Sequence, residues 1–148
     1  MDISTSDTNN INIKEIVIGL NNVLTEIYGN ETRLSYLLIN IGFNNQQVEY
    51  LRKHHLSQIV QICIQHLQQK ILTFQDGERA YKIISRYYSL DGKPKETLQS
   101  LGDQLSISRE RVRQLKEKTL KKCKSKSSRQ FFEAKLQEEV IHLLSITL

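Results

Sequence analysis

Apolar residues along the chain return every three or four positions and nowhere sustain an alternating pattern, which predicts helices and no sheet. Ile13, Ile16, Val17, Leu20, Val23, Leu24 and Ile27 form one face of a first helix that ends near Gly29. Leu34, Tyr36, Leu37, Leu38 and Ile41 give a short second helix, stopped by Gly42. Asn44 or Asn45 caps a third, read as one helix running to about Leu72. Its Leu56, Val60, Cys63, Leu67 and Ile71 make a heptad-like seam, and Ile59, Ile62 and Ile64 widen it. An apolar surface that broad predicts burial on more than one side, and a second copy of the chain is one way to supply it.

Gln75, Asp76 and Gly77 break the pattern. A further helix over about 78–89 turns Ala80, Ile83, Ile84 and Tyr87 inward. Asp91-Gly92-Lys93-Pro94 has plain turn chemistry. Thr97 then caps a short helix carrying Leu98, Leu101 and Leu105, and Ser108 caps a longer one with Val112, Leu115, Thr119, Leu120 and Cys123 inward. From about Arg129 a last amphipathic helix uses Phe131, Phe132, Leu136, Val140, Leu143 and Leu144. The expected fold is all-α: a disordered stretch at 1–10, a helical unit over 11–73, and a second unit over 74–148.

Two capped helices separated by a tight turn at Ser106 and Ile107 make a helix-turn-helix over 97–124. Gly102 lets the second helix come close to the first, and Ile107 plugs the corner between them. With Val112 and Leu115 buried, the second helix presents Arg109, Glu110, Arg113 and Gln114 outward at its N-terminal end, with Arg111 to one side. Those groups suit base edges: guanidinium donates bidentately to guanine, carboxylate accepts from cytosine, and the amide pairs with adenine. Backbone amides at the helix start favour a phosphate. Lys116, Lys118, Lys121, Lys122 and Lys124 carry the positive charge onward.

Charge divides the chain. Residues 1–70 have a net charge of −1, whereas residues 71–148 have +6. Between Arg109 and Arg129 ten basic residues face only Glu110 and Glu117. Like charges at helical spacing repel, so such an excess points to a polyanion, the phosphate backbone of duplex DNA.

The run over 77–124 resembles region 4 of the housekeeping-type sigma factors of bacterial RNA polymerase. The resemblance rests on Arg86-Tyr87-Tyr88-Ser89-Leu90-Asp91-Gly92, on Thr97-Leu98, Leu101-Gly102 and Leu105, and above all on Ser108-Arg109-Glu110-Arg111-Val112-Arg113-Gln114-Leu115. It implies that the second helix reads a promoter −35 element through Arg109, Glu110 and Gln114, while Arg111 and Arg113 hold backbone or meet partner proteins. It further implies that Thr97 and Leu98 anchor the first helix at a phosphate, and that Lys118, Lys122 and Lys124 touch backbone or upstream-bound activators. The helix over 78–89 resembles the part that clasps the polymerase β-flap. Ser106 stands where many relatives have Gly, and Thr119 and Cys123 replace the commoner Ala and Leu. Nothing upstream resembles the aromatic, basic segment used at the −10 element, so a complete sigma factor is not expected.

The remaining chemistry is sparse. Cys63 and Cys123 read as small buried hydrophobes rather than as a disulfide. Cys63 and His66 share a helix with His54 and His55 but supply too few ligands for zinc, so no metal or other cofactor is expected. One of Tyr87 and Tyr88 is expected in the core and the other at the surface. No catalytic set, export signal or membrane-length apolar run is visible, which predicts a non-enzymatic cytoplasmic, nucleoid-associated protein. The expected role is sequence-specific regulation at promoters. Its counterpart is a polymerase adaptor, or one subunit of a split sigma factor, bound to the β-flap. Homodimerisation is expected through 11–73 or through the last helix.

Overall fold

The computed structural model describes residues 2–147, with side chains from residue 13 to residue 145; the backbone of residues 2–10, expected to be disordered, is helical and forms the start of the first helix. Every element among the described residues is a helix. In chain order they are α1 (Asp2–Tyr28), α2 (Leu34–Asn40), α3 (Asn45–His54), α4 (Leu56–Leu72), α5 (Gly77–Tyr87), α6 (Leu98–Leu105), α7 (Arg109–Cys123) and α8 (Lys126–Thr147).

The single helix expected from Asn44 to Leu72 is two helices. His55, at φ −137° and ψ 21°, interrupts it. Phase explains why. Leu51 and Val60 are both buried, yet they stand nine residues apart. At about 3.6 residues per turn that is two and a half turns, so one straight helix would point them to opposite sides. The break lets α3 turn Val48 and Leu51, and α4 turn Val60, Cys63, Leu67 and Ile71, into the same interior. No Gly or Pro marks the spot. The start of α3 follows expectation: Asn44 and Gln47 form a reciprocal capping box, each side chain accepting from the other's backbone N–H at 2.8 and 2.9 Å.

α4 is the central post, packing against α1, α3, α5, α7 and α8. Its wide apolar surface is therefore covered within the chain. The same holds for α8, whose Phe132, Leu136 and Val140 are buried in the core that α4 shares. The breadth of α4 that suggested a second copy of the chain is thus accounted for by packing within the chain. Phe131, expected inward, is instead 39% exposed, with the ammonium groups of Lys70 and Lys135 over its ring. Polar links fasten α8 to the N-terminal helices as well. Tyr28 donates to Glu133 at 2.8 Å, Gln137 donates to the Ile41 carbonyl at 2.6 Å, and the His66 ring pairs with Glu139.

One apolar cluster runs from Leu20 to Val140 and spans the junction expected at 73–74. A second, small cluster of Ile83, Leu101, Val112 and Leu115 lies under the helix-turn-helix. α7 belongs to both: Val112 and Leu115 face the small cluster, Leu120 and Cys123 the large one. α7 is thereby held by the main core along its C-terminal half and by α5 and α6 along its N-terminal half, with Arg109, Glu110 and Arg111 exposed at its start. Both cysteines are free and buried as expected, and burial pushes the Cys123 thiol up to about 11.

Candidate nucleic-acid interface

Local sequence builds the corner. Thr97 Oγ1 accepts from the Ser100 N–H at 3.0 Å and starts α6. Ser108 Oγ accepts from the Arg111 N–H at 3.0 Å and starts α7. Between them Ser106 takes a left-handed conformation, φ 58°, in the turn position where a glycine is commoner. Gly102 is required by contact instead: a Cβ there would lie 2.7 Å from the Ile107 carbonyl oxygen. Ile107 is half-buried against the small cluster, as its expected role at the corner requires. Ser108→Ala is expected to cost about 1 kcal/mol through the lost cap, measurable as a lower urea midpoint.

The described side chains divide the expected contact residues into three groups. Arg109, Glu110, Arg111 and Gln114 are exposed at the projecting end of α7, and Thr97 and Ser108 are exposed beside them. Lys118, Lys121 and Lys124 are exposed farther along the same helix, and Leu98 is half-buried at the start of α6. Lys116 and Lys122 turn back onto the protein. The Lys116 ammonium lies 4.6 Å from the centre of the Tyr87 ring, and that of Lys122 lies 5.2 Å from the centre of the Phe74 ring. Both positions flank the buried stripe of α7, so their stems follow the aromatic surface beneath.

Arg113 is neither free nor simply outward. Its guanidinium donates through two nitrogens to Glu110 and through Nη1 to Glu117, the last at 2.7 Å. These are i,i+3 and i,i+4 spacings, and Glu117, not singled out among the contact residues, was legible from that spacing alone. Hydrogen bonding from Arg113, with the charges of Arg113 and Arg109 and a bond from the Gln114 amide, holds the Glu110 carboxyl below its ordinary range. Of the four side chains expected at base edges, Arg109, Arg113 and Gln114 thus act on the carboxylate of the fourth, Glu110.

Beside this cluster a groove of about 630 Å3 opens between the start of α7, the loop before α6 and the flank of α1. Arg109, Lys95 and Lys116 line it from one side, Asn22, Thr25 and Glu26 of α1 from the other. The α1 wall has no local sequence signal, because only the packing of α1 on α7 and on the turn after α5 puts it there. Tyr88 is buried and Tyr87 half-buried at its floor, edge to face at 5.0 Å between ring centres.

Caps, corner glycine, plugged turn and projecting polar helix end are the geometry of a DNA-reading helix-turn-helix. Residues 77–125 match the family described as sigma-70, region 4. No solved structure matches the chain. The region 4 segment is a third of the molecule, and α1 to α4 and α8 lie outside it. Region 4 is a DNA-binding family with no enzymatic chemistry of its own, which gives this chain a sigma-like, DNA-binding module on an all-helical body. Among the described residues no helix is long and apolar enough to cross a membrane.

Proposed function

We propose that the protein is a sequence-specific transcriptional regulator that reads promoter DNA in the major groove with the N-terminal end of α7. The observation that carries this reading is the exposure of Arg109, Glu110 and Gln114 at the projecting end of α7, whose other end is embedded in the main core. A helix held so firmly offers its exposed start with little conformational freedom to lose on binding. Thr97 and Ser108, at the first turns of α6 and α7, direct backbone amides toward flanking phosphates, and Arg111, Lys118, Lys121 and Lys124 supply the surrounding charge. Such a protein works in the cytoplasm, on the nucleoid.

A polymerase adaptor finds less support. Ala80, Ile84 and Tyr88 of the α5 segment, the part likened to the flap clasp, are buried in the main core of the chain itself. Little apolar surface is left there for a partner.

In vitro selection of bound duplexes at physiological salt tests the reading. A recovered motif is expected, with G·C pairs opposite Arg109. Four to six phosphate contacts should give a logarithmic salt slope of roughly −4 to −5. A pool that stays random after selection would end the proposal.

A further inference from the structure

Arg113 occupies a position that the sequence assigns to base reading, but its donors are spent inside the protein. Three of its five N–H groups point to carboxylates of its own helix, two at Glu110 and one at Glu117. Its side chain is 40% exposed, whereas those of Glu110 and Glu117 are each 58% exposed, so the cation lies lower on the helix than the two anions it bridges. A guanidinium clamped at both ends cannot also present its paired donors to guanine without releasing a carboxylate. Releasing either one leaves an extra negative charge facing phosphate. By contrast, a carboxylate held from below in one orientation is ready to accept from the amino group of cytosine.

We propose that Arg113 is a positioning residue for Glu110, with Glu117 as the counter-anchor, and that it touches neither base nor phosphate. The clamp fixes the carboxylate rotamer before DNA arrives. Specificity at one base pair then belongs to a relay of two residues, Arg113 and Glu110, with the Gln114 amide on the same carboxylate, while Arg109 reads on its own. This rests on the proposed function, since it refines how that same surface discriminates.

The decisive experiment is a double-mutant cycle on the full chain, read as relative affinity for the selected duplex and for duplexes changed at each base pair in turn. Glu110→Ala should erase discrimination at one pair, a loss of between about fivefold and about 150-fold. Arg113→Ala should erase discrimination at that same pair and no other. The double variant should lose no more than about twofold beyond either single variant. The salt slope of Arg113→Ala should equal that of the unaltered protein. All three residues are on the surface, so the variants are expected to fold.

Three results overturn the inference: altered preference at a different base pair, losses that multiply in the double variant, or a uniform loss with the salt slope reduced by about 0.9. The first two make Arg113 a base reader, and the third makes it a phosphate contact. No change at any pair also overturns it. An unaltered protein with no base preference refutes the proposed function itself, and this relay with it.

Discussion

Gly19→Ala is expected to lower the unfolding free energy by about 3 kcal/mol or more, at the upper end of what overpacking costs. A Cβ on Gly19 would sit 1.8 Å from the Tyr88 carbonyl oxygen and 3.0 Å from its carbonyl carbon. Both are backbone atoms, so no rotamer change can relieve the overlap. Either α1 lifts away from the end of α5, or the turn through Ser89 and Leu90 moves. Each route disturbs buried neighbours, because Leu20, Val23 and Leu24 follow directly on α1 and Ser89 and Leu90 are buried on the other side. At about 2–4 °C per kcal/mol for a chain of this size, the melting temperature should fall by roughly 6–12 °C. Gly29→Ala is the control: nothing lies within 4 Å of its Cβ position, and φ is +78°. That substitution meets only left-handed strain, about 1–2 kcal/mol. Scanning calorimetry on the pair checks the difference. Gly19→Ala melting within 2 °C or so of the unaltered protein would mean that α1 does not cross α5 this closely. Below both transitions DNA affinity should be unchanged, because the crossing supports α7 from behind and contributes no group to the DNA-facing end.

That separation between support and contact explains what could be read from sequence and what could not. The helix-turn-helix was legible because its signals are local. Thr97 and Ser108 cap, Gly102 permits the approach, Ile107 fills the corner, and Val112 and Leu115 set the phase, all within nineteen residues. The buried set of α7 follows its apolar period through Cys123. Where the answer depended on distant packing, local pattern misled. The apolar run from Val48 to Ile71 reads as one wide-faced helix until the interior demands that Leu51 and Val60 face the same way. The breadth that suggested a second copy of the chain reflects α4 standing at the centre, touched by five other helices. α8 begins at Lys126, three residues before the expected start, with Ser125 Oγ accepting from the Ser128 N–H at 3.2 Å as its cap. Serine was as strong a start signal there as at Ser108, but the surrounding lysines obscured it.

Charge was the other place where composition and geometry parted. Ten basic residues against two acidic ones describe Arg109 to Arg129 as a uniformly positive surface. In three dimensions both acids converge on a single arginine, and two lysines lie over aromatic rings facing inward. The outward cations reduce to Arg109, Arg111, Lys118, Lys121, Lys124 and Lys126 at the start of α8, all exposed. A sparser positive stripe is left, running from the start of α7 to the start of α8.

Within that stripe Arg109 is expected to carry the largest share of base discrimination. It is the first residue of α7, exposed, and without a hydrogen bond or ion pair among the described residues, so all its donors are free for a guanine. Its charge contributes to keeping Glu110 ionised, but Arg113 does most of that, so losing Arg109 should leave the neighbouring reader intact. Arg109→Ala should therefore weaken binding to the selected duplex by about 1–3 kcal/mol and relax preference at one base pair. Lys121→Ala should behave differently. As a phosphate contact it should weaken all duplexes alike and reduce the salt slope by about 0.9. Titrating selected and scrambled duplexes with both variants at two salt concentrations separates the two behaviours. The ratio of specific to random affinity is the sensitive quantity, because a damaged fold or a lost phosphate contact lowers both terms together. If Arg109→Ala keeps the ratio of the unaltered protein, the projecting end of α7 is not the surface that reads sequence. The groove that Arg109 and Glu26 both line would then be the place to look for what that arginine holds.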